Sequence, residues 1–565
     1  MSQSSDMQEI HLLNLTDEIF LNIFSYVNIS SRKKVSRVCR RFYELMCIVE
    51  RDCHPLELSY SQICDEEIRS SIVKSSREFE DLIIYPGDYP DELNRKHKIE
   101  MKYIQDVVSK FGRRIKKFNL RQFQLSESEL RRIFYCIPNV ETLTLEFLEV
   151  NIEPDENISE LNLCKLKKLT IIHSSNCLNI LNRLPKDTIK EASFFSYEDI
   201  CCQQFFNQQA NIKILDLSEN NQVKYDHLKL EHLKLNSEFI NLLLILRQQP
   251  RLRYIDCADN LIDVEIFKAI CELRNLEVAK MCVDLGLPCR VFESLKNLAH
   301  LKELQLKSEK IHECNHLHEL SRMHLKIEKL TLLYSKEKIP PEFFIQLSQN
   351  FRKLNQITIV NRSFNTINTI LEYLPNLESI VFNCESLSPE EDILVVNENL
   401  RHEKLKDFVV TSLVSNIYKE SNTRSLVTLL NACPNLERIS LSKLHDAHDQ
   451  ILQQIIGNHS KLTHLSLDCN FCEIYDENDA KLHIISSAAN RLKYIRLRRL
   501  NGCYDYEYEG WSDSEYESSL EDLFEDEFNY IRYNDDDDYD HSEIIMKKRN
   551  ASDWYQDLKE RIENL

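Results

Sequence analysis

The sequence predicts an α/β fold. A curved solenoid carries short parallel strands inside and helices outside, with a small helical unit in front and an acidic, disordered segment behind. Three observations predict this: a hydrophobic repeat fills the middle of the chain, two helix-spaced apolar faces precede it, and a run of carboxylates follows it. At 565 residues the chain exceeds the reach of one compact core, so several domains or an elongated repeat array are expected. Hydrophobic residues at 42% and charged residues at 29% are those of a folded chain. Only 6 Gly and 13 Pro occur, which disfavours folds rich in tight hairpins and argues against a phosphate loop.

The front unit is carried by residues 12–46, "LLNLTDEIFLNIFSYVNISSRKKVSRVCRRFYELM". Thr16 is placed to cap a helix, with Asp17 and Glu18 in the first turn, where the helix dipole favours negative charge. Ile19, Phe20, Ile23, Phe24 and Val27 follow as one broad apolar face. After a break at Asn28 to Ser31, Val35, Val38, Phe42 and Leu45 repeat the spacing in a basic helix. So few residues cannot bury that much apolar surface among themselves, and an external cover is expected.

"LTDEIFLNIFSYV" followed by "VSRVCRRFYEL" resembles the F-box, the helical motif that docks a protein onto the Skp-type adaptor of cullin-RING ubiquitin ligases. The unit is assigned to residues 8–53. The resemblance implies that Leu15, Thr16, Ile19, Ile23, Phe24, Val38, Cys39 and Phe42 are adaptor-facing or motif-core residues. Thr16 stands where the family usually has Pro, and Ser31-Arg32 replaces the usual Asp-Leu. The structural alternative is a helical cap that merely closes the solenoid.

Residues 54–114 read as a connector, mainly helical. "KIEMKYIQDVVSKFG" has helical spacing with a stop at Gly112, and "YPGDYPDEL" is a loop. The solenoid spans 115–503. There the pattern L-x-x-L-x-L, with aliphatic or aromatic substitutes, recurs sixteen times, from "IKKFNL" at Ile115 to "LKYIRL" at Leu492, at spacings of 18 to 31 residues. This is the period of leucine-rich repeats. Intervening segments such as "SESELRRIFYCIPN" and "LVTLLNACPN" have apolar residues three or four apart. Each unit is thus one strand plus one helix, which buries its apolar face only by stacking on its neighbours. The Asn that often follows the strand occurs only at Asn220, Asn260 and Asn470, so the other turns must satisfy their backbone groups otherwise.

Function is then expected on the concave side, which the residues between and beside the core leucines face. Leu333, Val360, Val381 and Val409 would be apolar there in consecutive units, either as a target-binding stripe or as cross-strand packing between β-branched neighbours. Arg496 and Arg498, with Lys493 and Arg499, make the last repeat basic. Cys469-x-x-Cys472, with His464 and His483, has the spacing of half a zinc site, but the second Cys pair is missing and Cys469 sits in a repeat turn. No HExxH, phosphate loop or nucleophile elbow occurs, so no catalytic residue, metal or cofactor is assigned.

Residues 504–543 hold seventeen carboxylates against the single Arg532, which accounts for sixteen of the net charge of −20. This segment is expected to be disordered. Within it Ser512, Ser514, Ser518 and Ser519 each have an acidic residue three positions later, as acid-directed kinase sites do. Phosphorylation is expected to alter a contact between this segment and the basic last repeat, the alternative being a purely solubilising tail. Residues 544–565 are expected to form a C-terminal amphipathic helix, with Trp554, Leu558, Ile562 and Leu565 on one face. The rest of the chain is near neutral, so nucleic acid is not an expected partner. The nineteen scattered Cys and the lack of a signal-like or membrane-spanning run point to the cytoplasm, the nucleus or both.

Taken with the F-box resemblance, the repeats imply a non-catalytic substrate-recognition subunit of an SCF-type E3 ubiquitin ligase, binding the adaptor in front and a target protein along the solenoid. The competing reading is an acidic-tailed leucine-rich-repeat scaffold or regulator that binds a basic protein and has no part in ubiquitin transfer.

Overall fold

The computed structural model describes residues 16–25, 34–53, 55–75, 78–87, 101–152, 160–195, 202–218, 224–236, 242–283, 287–308, 315–334, 339–361, 365–384, 396–397, 400–412, 420–444, 449–469, 491–492, 494–499 and 543–547. The chain divides into two compact units, Met1–Leu301 and Lys302–Leu565.

The first unit opens with helices α1 (Asp17–Ser25) and α2 (Arg40–Cys53). The Phe20 N–H donates to the Thr16 carbonyl at 3.2 Å and starts α1, with Asp17 and Glu18 in its first turn. Phe20, Phe24, Phe42, Leu45, Met46 and Val49 close a core between the two helices. Ring centroids of Phe20, Phe24 and Phe42 lie 4.8 to 5.4 Å apart, a separation at which tilted and edge-on aromatic pairs attract.

Behind them comes a series of short strands: β1 (Leu56–Ser59), β2 (Asp81–Tyr85), β3 (Lys117–Arg121), β4 (Gln124–Ser126), β5 (Thr142–Glu146), β6 (Glu149–Asn151), β7 (Lys168–Ile172), β8 (Glu191–Phe195), β9 (Ile214–Leu217), β10 (His232–Leu235), β11 (Tyr254–Ile262) and β12 (Val278–Val283). β4 and β6 pair with each other. The others form one parallel ladder in chain order, β1 to β2, β2 to β3, β3 to β5, and so on to β11 with β12.

The connector expected over 54–114 is therefore corrected. It does hold helices, at Tyr60–Cys64, Glu66–Lys74 and Met101–Phe111, but β1 and β2 extend the ladder to its front. The reason is visible in the chain. "CHPLEL" and "FEDLII" carry the repeat pattern with Cys53 and Phe79 in place of the first leucine. The helix Met101–Phe111 does stop at Gly112, where a Cβ would collide with the Cys136 carbonyl oxygen of the following repeat.

The second unit continues the pattern with β13 (Glu303–Ser308), β14 (Lys329–Tyr334), β15 (Gln356–Val360), β16 (Ser379–Cys384), β17 (Asp407–Ser412), β18 (Arg438–Leu444), β19 (His464–Cys469) and β20 (Tyr494–Arg499), each parallel to the next. A last strand, β21 (Glu543–Lys547), runs antiparallel to β20. The segment expected to be helical from residue 544 thus begins as a strand, consistent with the β-branched pair Ile544-Ile545. Residues 548–565 and the acidic residues 504–542, with their four serines, lie outside the described residues.

All sixteen predicted repeats form strands, each beginning two residues after the first apolar position of its motif. One device ties repeat to repeat. The Glu80 carbonyl accepts the N–H groups of Lys116 at 2.7 Å and Lys117 at 2.9 Å, and the Lys116 carbonyl accepts those of Glu141 and Thr142. The same double bond recurs at Glu141, Lys167, Lys190, Lys213, Glu231 and Arg253, and in the second unit at Lys302, Glu328, Asn355, Glu378, Lys406 and Glu437. Where the post-strand Asn is missing, Gln122, Phe147 and His173 adopt positive φ and donate their N–H to the next strand's end, at Glu146, Ile172 and Phe195. Asn260 plays the expected part, with its amide on the Leu235 carbonyl at 3.0 Å. Asn220 and Asn470 lie outside the described residues.

Candidate functional site

The front unit sorts its candidate residues into two groups. Phe24 and Phe42 are buried in the α1–α2 core together with Phe20, so they are motif-core residues and not a contact surface. Cys39 packs partly against the same core, and its sulfur accepts the Phe42 N–H at 3.5 Å. The core takes up one apolar face only. Ile19 is 44% exposed, Ile23 43% and Val38 65%, although all three are large aliphatic residues. Ile19 and Ile23 are four apart on α1 and therefore share a face. Thr16 is exposed at the helix start, where its side chain bonds to Glu18. The helix-start backbone first and then Thr16 hold the Glu18 carboxyl below its ordinary range. Arg41 of α2 pairs with Asp17 at 2.7 Å and lies over the Phe20 ring at 5.0 Å, fixing the two helices to each other. Leu15 is outside the described residues.

A second surface is the face of each ladder opposite the leucine core, the open face. In the first unit its middle row runs Asn119, Thr144, Thr170, Ser193, Asp216, Lys234, Asp256, Lys280 over adjacent strands. Its charges have close partners: the Lys280 ammonium is 3.2 Å from the Asp256 carboxylate within the row, and the Asn236 amide, just after β10, donates to Asp216 at 3.3 Å.

In the second unit Leu333 lies opposite Val360, and Val381 opposite Val409. Because Val360 is opposite Asn383 and Thr358 opposite Val381, the four aliphatic residues occupy two adjacent rows rather than one stripe. Val360 is buried, while Leu333, Val381 and Val409 are half-buried. Arg496 and Arg498 fall on β20, opposite Ser466 and Asp468 on one side and Ile545 and Glu543 on the other.

Among the described residues no group of three or more His, Cys, Asp or Glu is placed to hold a metal ion, and Cys472 and His483 lie outside them. Burial raises the thiols of Cys271 and Cys433 to about 12 and that of Cys257 well above its ordinary range, so all three stay protonated. No helix among the described residues is long and apolar enough to cross a membrane.

Comparison with known proteins places the front unit. Residues 12–54 match the F-box domain family. The helix pair with its aromatic core is thus an F-box domain, and the strand-and-helix ladders behind it make the chain an F-box and leucine-rich-repeat protein. Among solved structures, an internalin from Listeria monocytogenes is similar at 16% identity with a TM-score of 0.31, over 64% of this chain and 98% of that one. TLR13 in its complex with ssRNA13 is similar at 14% identity with a TM-score of 0.29, over 75% of this chain and 58% of that one. No curated protein sequence matches the chain.

Proposed function

We propose that the protein is a non-catalytic substrate-recognition subunit of an SCF-type E3 ubiquitin ligase, which binds a Skp-type adaptor through Ile19, Ile23 and Val38 and a target protein through the open face of the repeats. One observation carries the reading. The F-box domain has a closed core of its own, and yet three large aliphatic residues at 43% exposure or more stand outside it. Apolar area left in water is favourably removed by a partner, at roughly 25 cal/mol per Å². Ubiquitin transfer is then performed by the other subunits, and this chain contributes proximity between enzyme and target. Residence in the cytoplasm or nucleus, where such ligases work, belongs to the same reading.

The test is co-purification with the adaptor and cullin. Ile19→Asp/Ile23→Asp is expected to abolish capture while leaving the melting temperature of the isolated chain unchanged, since both residues are exposed. Phe20→Ala is expected to lose capture by a different route, unfolding the domain at a cost of about 3–5 kcal/mol. Capture by the wild type that persists in the double variant would remove the proposed surface. No capture by the wild type would remove the ligase reading.

A further inference from the structure

Each repeat enters its strand at one rim of the ladder, the edge at which the parallel strands begin. In the first unit this rim is made by the leading apolar residue of each motif from Ile115 to Leu276 and the two residues on either side of it. Over these eight repeats the rim holds thirteen Lys and Arg against five Asp and Glu.

Pairing does not cancel the excess. Seven of the thirteen cations are in ion pairs, among them Lys167 with Glu141 at 2.7 Å, Lys213 with Glu231 at 2.6 Å and Lys168 with Glu191 at 3.4 Å, and the seven pairs take up four of the five carboxylates. Arg113, Lys165, Lys190, Lys229, Arg251 and Arg274 are left, all exposed and making no ion pair among the described residues, against Asp187 alone.

The backbone beneath these cations is held in place. The carbonyls of Lys167, Lys190, Lys213 and Glu231 each accept two N–H groups from the next repeat. The Asn139 amide donates to the Arg113 carbonyl at 2.6 Å, and the Asn275 amide to the Pro250 carbonyl at 3.4 Å. The six cations lead into β3, β7, β8, β10, β11 and β12, and neighbouring strands stand roughly 4.8 Å apart, so the positive line spans about 34 Å at set intervals. An extended chain rises about 3.3 Å per residue, and about ten residues cover that length.

Two features favour a polypeptide over a nucleic acid. A phosphodiester backbone carries a charge on every nucleotide and would run against the carboxylates that stand among the cations, whereas a peptide carries its charges only at some positions. The two rings of the rim, His232 and Tyr254, stack on each other with centroids 5.4 Å apart, and do not stand separately as platforms for successive bases.

We propose that this rim of the first unit binds an acidic, extended segment of a partner protein, whose carboxylates pair with the six cations. The rim is distinct from the open face, and the binding goes beyond the proposed function, since it requires neither adaptor nor ligase.

The probe is a labelled peptide of about ten residues that alternates Glu with Ser. It is titrated against the full chain and against a chain lacking residues 504–542, whose own carboxylates would compete for the same cations. The peptide is expected to bind, and to bind more weakly as salt rises. Lys229→Glu/Arg251→Glu/Arg274→Glu is expected to weaken binding about tenfold or more without lowering the melting temperature, because all three side chains are exposed and unpaired. Lys102→Glu/Arg132→Glu/Lys268→Glu makes the same charge change at exposed helix positions outside the rim, and is expected to weaken binding less than about twofold.

No binding by either chain would overturn the proposal. Equal losses in the two triple variants would overturn it as well, because bulk charge would then suffice. Tighter binding of a single-stranded RNA of the same length, lost in the rim variant, would replace the acidic protein with a nucleic acid. Should the rim variant fail to fold, Lys229→Gln/Arg251→Gln decides the question by the same readouts. Adaptor capture is a separate measurement, so its failure sinks the ligase reading without touching this result.

Discussion

His402 and His459 occupy the same place in their repeats, three residues before the first leucine of the strand motif, and both are fully or almost fully buried. His402 accepts the Leu405 N–H at 3.2 Å and bonds to the Leu374 carbonyl at 3.0 Å. Neither ring nitrogen of His459 has a partner among the described residues. Burial, and then the neighbouring Arg491 charge, hold its imidazole down to about 4, and burial lowers His402 as well. Both rings are therefore neutral in the folded protein, whereas the unfolded chain takes up their protons near the ordinary histidine pKa. Stability is complete above about pH 6.5, falls as pH drops towards 4, and levels off below it, with His459 contributing about 3 kcal/mol at most. Melting curves between pH 4 and 7 are expected to show a shallower slope for His459→Gln than for the wild type; equal slopes would mean that His459 does not titrate differently in the two states. At this scale the sequence is least legible. Ile19 with Ile23, and Phe20 with Phe24, have the same four-residue spacing on α1, and periodicity alone does not tell which pair turns inward. Asn383 reads in sequence as one more polar residue on an open face. Its burial, with neither amide atom partnered among the described residues, exists only once β15 and β17 are packed on either side.

Elements were far more legible than residues. A leucine-type core position recurring every two to three dozen residues leaves the strand little freedom, and each of the sixteen repeat strands begins at the same offset from its motif. β1 and β2 carried the same signal but with Cys53 and Phe79 at the leading position, and helices with stronger periodicity stand between them and before β3. β21 had no repeat to announce it, since its pairing with β20 joins residues about fifty apart. Two glycines test how the helices fit. Gly112→Ala is expected to destabilise the first unit by about 1–3 kcal/mol, as the new methyl must displace backbone. Gly457→Ala, in the helix Asp449–Asn458 with nothing within 4 Å of the new atom, is expected to stabilise the second by about 0.5–1 kcal/mol. The opposite signs are measurable by denaturant titration. The edge strand makes a further prediction. Truncation before residue 543 removes the only strand described on the outer side of β20 and exposes its N–H and C=O groups, so the truncated chain is expected to self-associate with rising concentration in sedimentation experiments. A monomer at all concentrations would count against that role for β21.

At the scale of the molecule, the open face divides by chemistry. The first unit's middle row carries charge on Asp216, Lys234, Asp256 and Lys280, while the second unit's is uncharged from Gln305 to Ser466 and turns basic at Arg496, and the largest block of net charge lies in residues 504–543 beyond the repeats. The carbonyls that join the repeats have a direction as well. In every case the earlier repeat supplies the oxygen and the later one the two N–H groups, from Glu80 through to Glu437. A chain leaving the ribosome therefore meets its acceptors in the order in which they are made. Within each unit a new repeat finds a docking edge already presented by the one synthesised just before it, and none has to wait for sequence still to come. Each unit can thus grow like a stack of plates laid one at a time, the first unit's opening edge being supplied by β1.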